Sequence, residues 1–399
     1  MAELLWSLQD SQLVARFQRR CGLFPAPDEG PGEPCAGPAE GAARAPGLGH
    51  LPAAKGRGAG EPASGLRRVA VPQAYVQKYI VKNYFYYYLF RFSAALGQEV
   101  FYITFLPFTH WNIDPYLSRR LTIIWVLVMY IGQVAKDVLK WPRPFSPPVV
   151  KLEKRVIAEY GMPSTHAMAA TAISFTLLIS TTDRYQYPFV LGLMTAVAFS
   201  TLVSLSRLYT GMHTVLDVLG GILITAILIV LTYPAWTLID RLDSASPLFP
   251  VCVLVVPFFL CYSYPVSDYY SPTRGDTTTI MAAGAGVTIG FWINHFFQLV
   301  SKPTESLPVI QNIPPLTSDL LVLGLTKFTV GIVLILLVRQ LVQNLSLQVL
   351  YSWFKVVTRN KEARQRLEIE VPYKFVTYTS VGICATTFVP MLHRFLGLL

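Results

Sequence analysis

Charge is scarce in this chain. Asp, Glu, Lys and Arg make up only 14% of its 399 residues, against about 25% in a soluble domain, which excludes an ordinary water-soluble globule. Paired cysteines are missing too. Cys21, Cys35, Cys252, Cys261 and Cys384 are scattered without repeated spacing, supporting neither a disulfide framework nor a zinc site. The opening MAELLWSLQDSQLVARF lacks the basic-then-apolar order of a cleavable signal peptide. Its Leu4, Leu5, Leu8 and Val14 mark one face of a short helix, either interfacial or simply local. No internal repeat is evident, which weighs against a transporter built from inverted repeats. Large apolar side chains are also sparse between residues 22 and 66, a Gly-, Pro- and Ala-dense stretch expected to be disordered.

What is present is hydrophobic length. Apolar residues make up 53% of the chain, and runs of roughly 17 to 25 residues recur that could cross a bilayer core. Spans are expected near 86–108, 120–139, 166–182, 188–206, 215–238, 248–265, 278–300, 319–338 and 375–396. The expected fold is therefore all-α: a polytopic transmembrane helical bundle of about nine spans. A leader over 1–83 should precede a membrane core over 84–240 and additional helices over 241–399. The formal charge of +10 sits in loops and flanks rather than in an aromatic-studded basic domain. Anionic lipid surfaces and anionic substrates are the expected counterparts, and nucleic acid is not.

Three clusters place ionisable groups at the ends of apolar spans, where charge is costly. KDVLKWPRP carries Lys136 and Arg143, PSTH carries Ser164, Thr165 and His166, and SRLYTGMHTVLD carries Arg207, His213 and Asp217. In an antiparallel bundle the second span ends near Lys136, the third begins at His166, the fourth ends at Arg207 and the fifth begins after His213. All four ends then share one membrane face.

Such a set suits a phosphomonoester. Arg143 and Arg207 can grip phosphate oxygens bidentately, Lys136 adds a point charge and Ser164 a hydroxyl donor. The third span's first free N–H groups favour an anion. His213 and Asp217, four apart, are expected to share a helical turn, the carboxylate taking the Nδ1 proton and presenting Nε2 as nucleophile. Attack on phosphorus gives a phosphohistidine, and His166 protonates the leaving alkoxide and later activates water. The cations neutralise the equatorial oxygens, so neither metal nor cofactor is called for. Activity without added magnesium and inhibition by vanadate are expected.

These segments resemble the signature of the type 2 phosphatidic acid phosphatase superfamily, K-x6-R-P, P-S-G-H and S-R-x5-H-x3-D, all three in order and with the right internal spacing. A lone P-S-x-H is a weak signal, whereas the tripartite match is strong. The stretch KWPRPFSPPVVKLEKRVIAEYGMPSTHA is similar to the sphingosine-1-phosphate phosphatases within that superfamily. The resemblance implies phosphate binding by Lys136, Arg143, Ser164 and Arg207, acid catalysis by His166, nucleophilic attack by His213 and orientation by Asp217. It also implies sphingosine 1-phosphate and its dihydro relative as substrates, and an endoplasmic reticulum membrane with the site facing the lumen. Thr165 stands where the broad pattern has glycine, as in the sphingoid-phosphate subfamily. A β-branched residue disfavours positive φ, so helical or extended backbone is expected there, its N–H still available to phosphate.

Blander readings exist for each part. His166 alone is an ordinary first-turn residue, and His50, His110, His295 and His393 need no special role. Arg143 and Arg207 taken singly are interfacial anchors. YFYYYLFRF at 84–92 and YSYPVSDYYSP at 262–272 read as interfacial aromatic belts, and the NLS triplet at 344–346 as an unused glycosylation acceptor. Nothing in the spacing identifies a reader of the substrate amino group; Glu99, Asp114 and Asp137 are candidates. Rival functions are a broad-range lipid or sugar phosphatase of the same superfamily and a non-hydrolytic phospholipid transporter. Sidedness is contested: the positive-inside preference would put the basic 351–374 loop, on the catalytic side of a nine-span bundle, in the cytosol. Protein partners are not legible.

Overall fold

The computed structural model describes residues 2–26, 78–153, 159–237, 247–265, 271–297, 311–312, 315, 317–356 and 361–398. Most of the Gly/Pro-rich leader, from residue 27 on, lies outside them. The architecture is helical with two minimal sheets. Leu23–Pro25 (β1) pairs antiparallel with Tyr79–Val81 (β2), and Tyr185–Gln186 (β3) pairs parallel with Gln311–Asn312 (β4). The first residues of the leader are thus ordered, because a strand partner across the Gly/Pro-rich stretch satisfies their backbone groups.

The N-terminal stretch forms two helices, Ala2–Gln9 (α1) and Ser11–Arg20 (α2). Asp10 divides them by accepting a hydrogen bond from the Gln12 amide at 2.8 Å, an N-cap. Only α2 is inserted. Val14, Ala15 and Gln18 are buried, and the first two pack with Val149, Ala167, Leu208 and Val218, whereas Leu5 and Trp6 of α1 are exposed.

The expected first span is broken in two, Tyr84–Leu96 (α3) and Glu99–Asn112 (α4), with Gly97 between them. Next come Pro115–Leu139 (α5), Thr165–Thr182 (α6), Phe189–Tyr209 (α7) and Val215–Thr232 (α8). Asp114 N-caps α5 with proline in its first turn, and Lys140 closes it in the left-handed conformation at φ 51°. Phe249–Tyr262 (α9), Thr273–Phe297 (α10) and Ser318–Trp353 (α11) follow, then Lys361–Arg364 (α12) and Leu367–Ile383 (α13). A π-turn over Cys384–Phe388 leads into Val389–Phe395 (α14).

By length and composition, six helical stretches among the described residues could cross a membrane: Pro115–Leu139, Phe189–Tyr209, Val215–Ala235, Thr273–Phe297, Ser318–Trp353 and Leu367–Phe395. The chain is a multi-pass helical bundle, though the count of nine is not reproduced. The 86–108 run is split, α9 has 14 residues, and α6 is diluted by alanine, serine and threonine. That dilution suits its place: α6 packs against α5, α7 and α8 and buries Ala167, Met168, Ala169, Ala170 and Ala172. At Gly221 of α8 a Cβ would lie 3.0 Å from the Ser164 carbonyl oxygen, so glycine lets α8 meet the start of α6 without crowding it.

Candidate active site

The site is assembled from the ends of four helices. Lys136 comes from the last turn of α5, Ser164, Thr165 and His166 from the start of α6, Arg207 from the last turn of α7, and His213 and Asp217 from the approach to α8 and its first turn. Arg143 reaches in from the segment after α5. These are the residues expected from spacing, and the structure brings them together.

Backbone bonds fix the frame. The Ser164 amide donates to the Asp217 carbonyl oxygen at 3.0 Å, tying the start of α6 to the start of α8. Arg143 is a brace as well as a cation: its Nε donates to the Glu159 carbonyl at 2.8 Å and its Nη1 to the Met212 carbonyl at 2.9 Å. Gly161 fits between Arg143 and Asp217, its amide donating to the Trp141 carbonyl at 2.7 Å. Gly211 turns the chain from α7 towards His213 at φ +71°, against the Val150 carbonyl, a conformation and an approach that a Cβ would forbid.

Gln18 of α2 completes the wall. Its Nε2 donates to the carbonyls of Val150 (2.7 Å) and Tyr209 (2.8 Å), and its Oε1 accepts from the Val150 amide at 3.0 Å. The sequence reading did not single out this residue.

Ser164 is the N-cap of α6, yet its hydroxyl makes no capping bond; it is fully buried and has no hydrogen-bond partner among the described residues. Arg207 Nε and His213 Nδ1 are likewise buried and unpartnered. Buried polar atoms are nearly always bonded, so Ser164 Oγ and Arg207 Nε are open to an external ligand, whereas His213 Nδ1 faces Asp217. Thr165 is the first helical residue of α6, as a non-glycine residue requires, and its Oγ1 lies 3.4 Å from Lys136 Nζ. His166 is half-buried, near the Gly97 break between α3 and α4.

The expected pairing of His213 with Asp217 is looser than a hydrogen bond. Nδ1 lies 3.7 Å from Asp217 Oδ2, because His213 precedes α8 rather than sharing its first turn. Asp217 Oδ2 instead accepts from the Thr214 amide at 2.7 Å while Thr214 Oγ1 accepts from the Asp217 amide at 3.3 Å, a reciprocal capping box. Asp217 Oδ1 has no partner. Burial, and then the charges of Arg143, Arg207 and Lys136 with His166 close by, hold the His213 imidazole well below the usual histidine pKa. Burial lowers the Arg143 guanidinium to about 10, still charged at neutral pH.

Two carboxylates absent from the sequence reading occupy the cations. Glu153 takes both terminal nitrogens of Arg207, Oε1 to Nη1 at 3.0 Å and Oε2 to Nη2 at 3.1 Å. Glu159 Oε2 lies 3.4 Å from both Lys136 Nζ and Arg143 Nη2. Of the proposed amino-group readers, Asp114 stands at the opposite end of α5 from Lys136, roughly 33 Å away at 1.5 Å per residue, paired with Arg184 at 2.7 Å. Asp137 accepts from the Tyr264 hydroxyl at 2.9 Å, and the side chain of Glu99 lies outside the described structure.

A sequence profile of the PAP2 superfamily matches residues 119–240, the stretch that contains every residue above from Lys136 to Asp217. Sphingosine-1-phosphate phosphatase 2 of Homo sapiens is 89% identical over the full length of both chains. Its counterpart in Mus musculus is 79% identical over both full lengths. Sphingosine-1-phosphate phosphatase 1 of Rattus norvegicus is 37% identical, over all of this chain and 98% of its own. No solved structure matches.

Proposed function

The chain belongs to the sphingosine-1-phosphate phosphatases, and from that premise we propose that it hydrolyses sphingosine 1-phosphate and its dihydro relative to the free sphingoid base and phosphate through a phosphohistidine. One observation carries the assignment of roles. Among the described residues Ser164 Oγ and Arg207 Nε are buried without partners beside Lys136 and Arg143, the surroundings a phosphate dianion needs.

In this reading Arg207, Arg143 and Lys136 draw off the charge of the phosphate oxygens, and Ser164 Oγ and the free amides of the first turn of α6, Thr165 included, donate to them. The Nε2 lone pair of neutral His213 attacks phosphorus as the bond to the C1 oxygen breaks, and protonated His166 gives that oxygen its proton. Neutral His166 then takes a proton from water, the resulting hydroxide attacks phosphorus, and the P–N bond breaks to return His213 and release phosphate. Asp217, held by the Thr214 amide, closes on the Nδ1–H as positive charge develops on the ring.

The site segments fall within residues 84–240, which we take as the phosphatase core, with 241–399 as added helices. Residues 1–83 form the leader, of which α2 contributes to the site wall. A single-chain lipid would enter laterally, its headgroup at the helix ends and its tail between helices. We place the enzyme in the endoplasmic reticulum membrane with the site facing the lumen. Tags at both termini and within residues 140–165 test this, and cytosolic accessibility of the 140–165 tag overturns it.

The chemistry is tested by quenching turnover of 32P-labelled sphingosine 1-phosphate. Acid-labile, alkali-stable label on the protein is expected in wild type and absent from His213→Ala. Turnover equal to wild type in His213→Ala would sink the mechanism. Faster turnover of phosphatidate or glucose 6-phosphate than of sphingosine 1-phosphate would replace the substrate.

A further inference from the structure

The cations assigned to phosphate are already held by carboxylates. Glu153 meets Arg207 with two parallel N–H···O bonds, the same fork that two phosphate oxygens would use. Glu159 bridges Lys136 and Arg143 at 3.4 Å to each, longer than a good charge-assisted bond. Glu153 leaves the Nε edge of Arg207 open, so a phosphate that takes the terminal fork displaces the carboxylate, and one that takes Nε draws on the same positive charge.

Exposure gives the order of the layers. The Lys136, Arg143 and Arg207 side chains are 2%, 7% and 0% exposed, whereas those of Glu153 and Glu159 are 18% and 20% exposed. The carboxylates therefore lie on the open side of the cations. A headgroup arriving from that side meets the carboxylates first and, once its phosphate has moved inward, stays beside them.

Charge then decides what the headgroup must carry. Glu153, Glu159 and Asp217 balance Lys136, Arg143 and Arg207 in the free protein. A phosphate dianion adds two negative charges, and the glutamates lose or share the cations they pair with while still half-buried. An uncompensated, partly desolvated carboxylate is costly unless a cation replaces the one it lost. A sphingoid phosphate brings that cation with it, as an ammonium on the carbon next to the phosphoester carbon.

We propose that Glu153 and Glu159 are the specificity residues for the substrate amino group: phosphate competes with them for Arg207, Arg143 and Lys136, and they then accept the hydrogens of the sphingoid ammonium. The proposal rests on the sphingoid-phosphate reading above. It makes the two glutamates stand-ins for phosphate in the free enzyme and ligands of the amine in the complex.

The test compares sphingosine 1-phosphate with N-acetylsphingosine 1-phosphate, which keeps the phosphate and chain but carries a neutral amide. The full-length protein is purified in detergent as wild type, Glu153→Gln, Glu159→Gln and the double variant. Wild type should favour the free amine in kcat/KM by roughly tenfold or more, the scale of losing one partner of a largely buried charge pair. The double variant should lose most of that preference through slower turnover of the amine substrate. Vanadate should inhibit the glutamine variants at lower concentration than wild type, because a neutral amide competes less well for the arginines, a shift that a merely structural role would not produce.

A wild-type preference that survives both substitutions, or a vanadate Ki that does not fall, overturns the proposal. Equal wild-type turnover of the two lipids overturns it and leaves the phosphatase reading standing, whereas no turnover of either removes both. If the glutamine variants do not fold, that wild-type ratio still decides, and Glu153→Asp with Glu159→Asp, which keep the charge, should retain the preference.

Discussion

The Ser164 amide and the Asp217 carbonyl, 3.0 Å apart, join the amino-terminal ends of α6 and α8. Two positive helix ends therefore meet, but they are treated differently. The α8 end is neutralised by Asp217 in its capping box, whereas α6 has no acidic residue in its first turn and no side-chain cap. The uncompensated end is the one that faces Lys136 and Thr165, which favours an anion there.

Ser164→Ala should separate function from stability. Its hydroxyl has no partner among the described residues, so thermal unfolding in detergent should be unchanged or slightly raised. Loss of a donor to a charged oxygen should weaken vanadate inhibition and raise KM by roughly tenfold. A fall in melting temperature with unchanged KM would show the hydroxyl to be structural.

The pH profile should follow His213. The ring must be neutral to attack, and burial among Arg143, Arg207 and Lys136 holds its pKa well below 6.5, so the nucleophile stays competent into mildly acidic solution. The acidic limb of kcat/KM for sphingosine 1-phosphate is expected below pH 6.5, where the second ionisation of the phosphoester near pH ~6 also falls. A limb at or above 6.5 would contradict this placement of the ring.

Thr165 is helical and buried, so restoring the glycine of the broad superfamily pattern should not improve the enzyme. Thr165→Gly should cost about 0.5–1 kcal/mol of stability through the flexibility of the unfolded chain, together with the Oγ1 contact to Lys136. Thr165→Ser should keep the contact and most activity. Unfolding in detergent and phosphate-release kinetics check both.

Gln18→Leu leaves the Val150 amide and the carbonyls of Val150 and Tyr209 without their side-chain partner. A loss of roughly 1–3 kcal/mol is expected, read as a lower unfolding temperature, with reduced turnover because Val150 leads directly to Glu153. Unchanged activity would show that α2 is not part of the site wall.

Much of this site could be read before any coordinates, because its spacing is tied to helix ends. Lys136, His166 and Arg207 each border an apolar run, and an antiparallel bundle places those ends on one face. Other features had no such signal. A span-length window over 86–108 averages Gly97, Gln98 and Glu99 into an apolar run, so hydropathy joins α3 and α4 where the helix breaks. Asp217 follows Thr214 in a T-x-x-D pattern that also reads as a capping box, which is the bond it makes here. Glu153 and Glu159 look like solvated loop charges, since spacing does not say which carboxylate meets which cation. Gln18 is invisible for another reason: its partners are main-chain groups of Val150 and Tyr209, which carry no mark of residue type.

The Gln18 clamp also sets a timetable for biosynthesis. Its partner Tyr209 lies 191 residues further along, so at translation rates of about 5–20 residues per second the amide waits roughly 10–40 s for its acceptor to be made. During that interval the Val14 face of α2 has no core to enter, and the nascent amino-terminal helix must remain at the membrane surface or on a chaperone until α7 has been inserted.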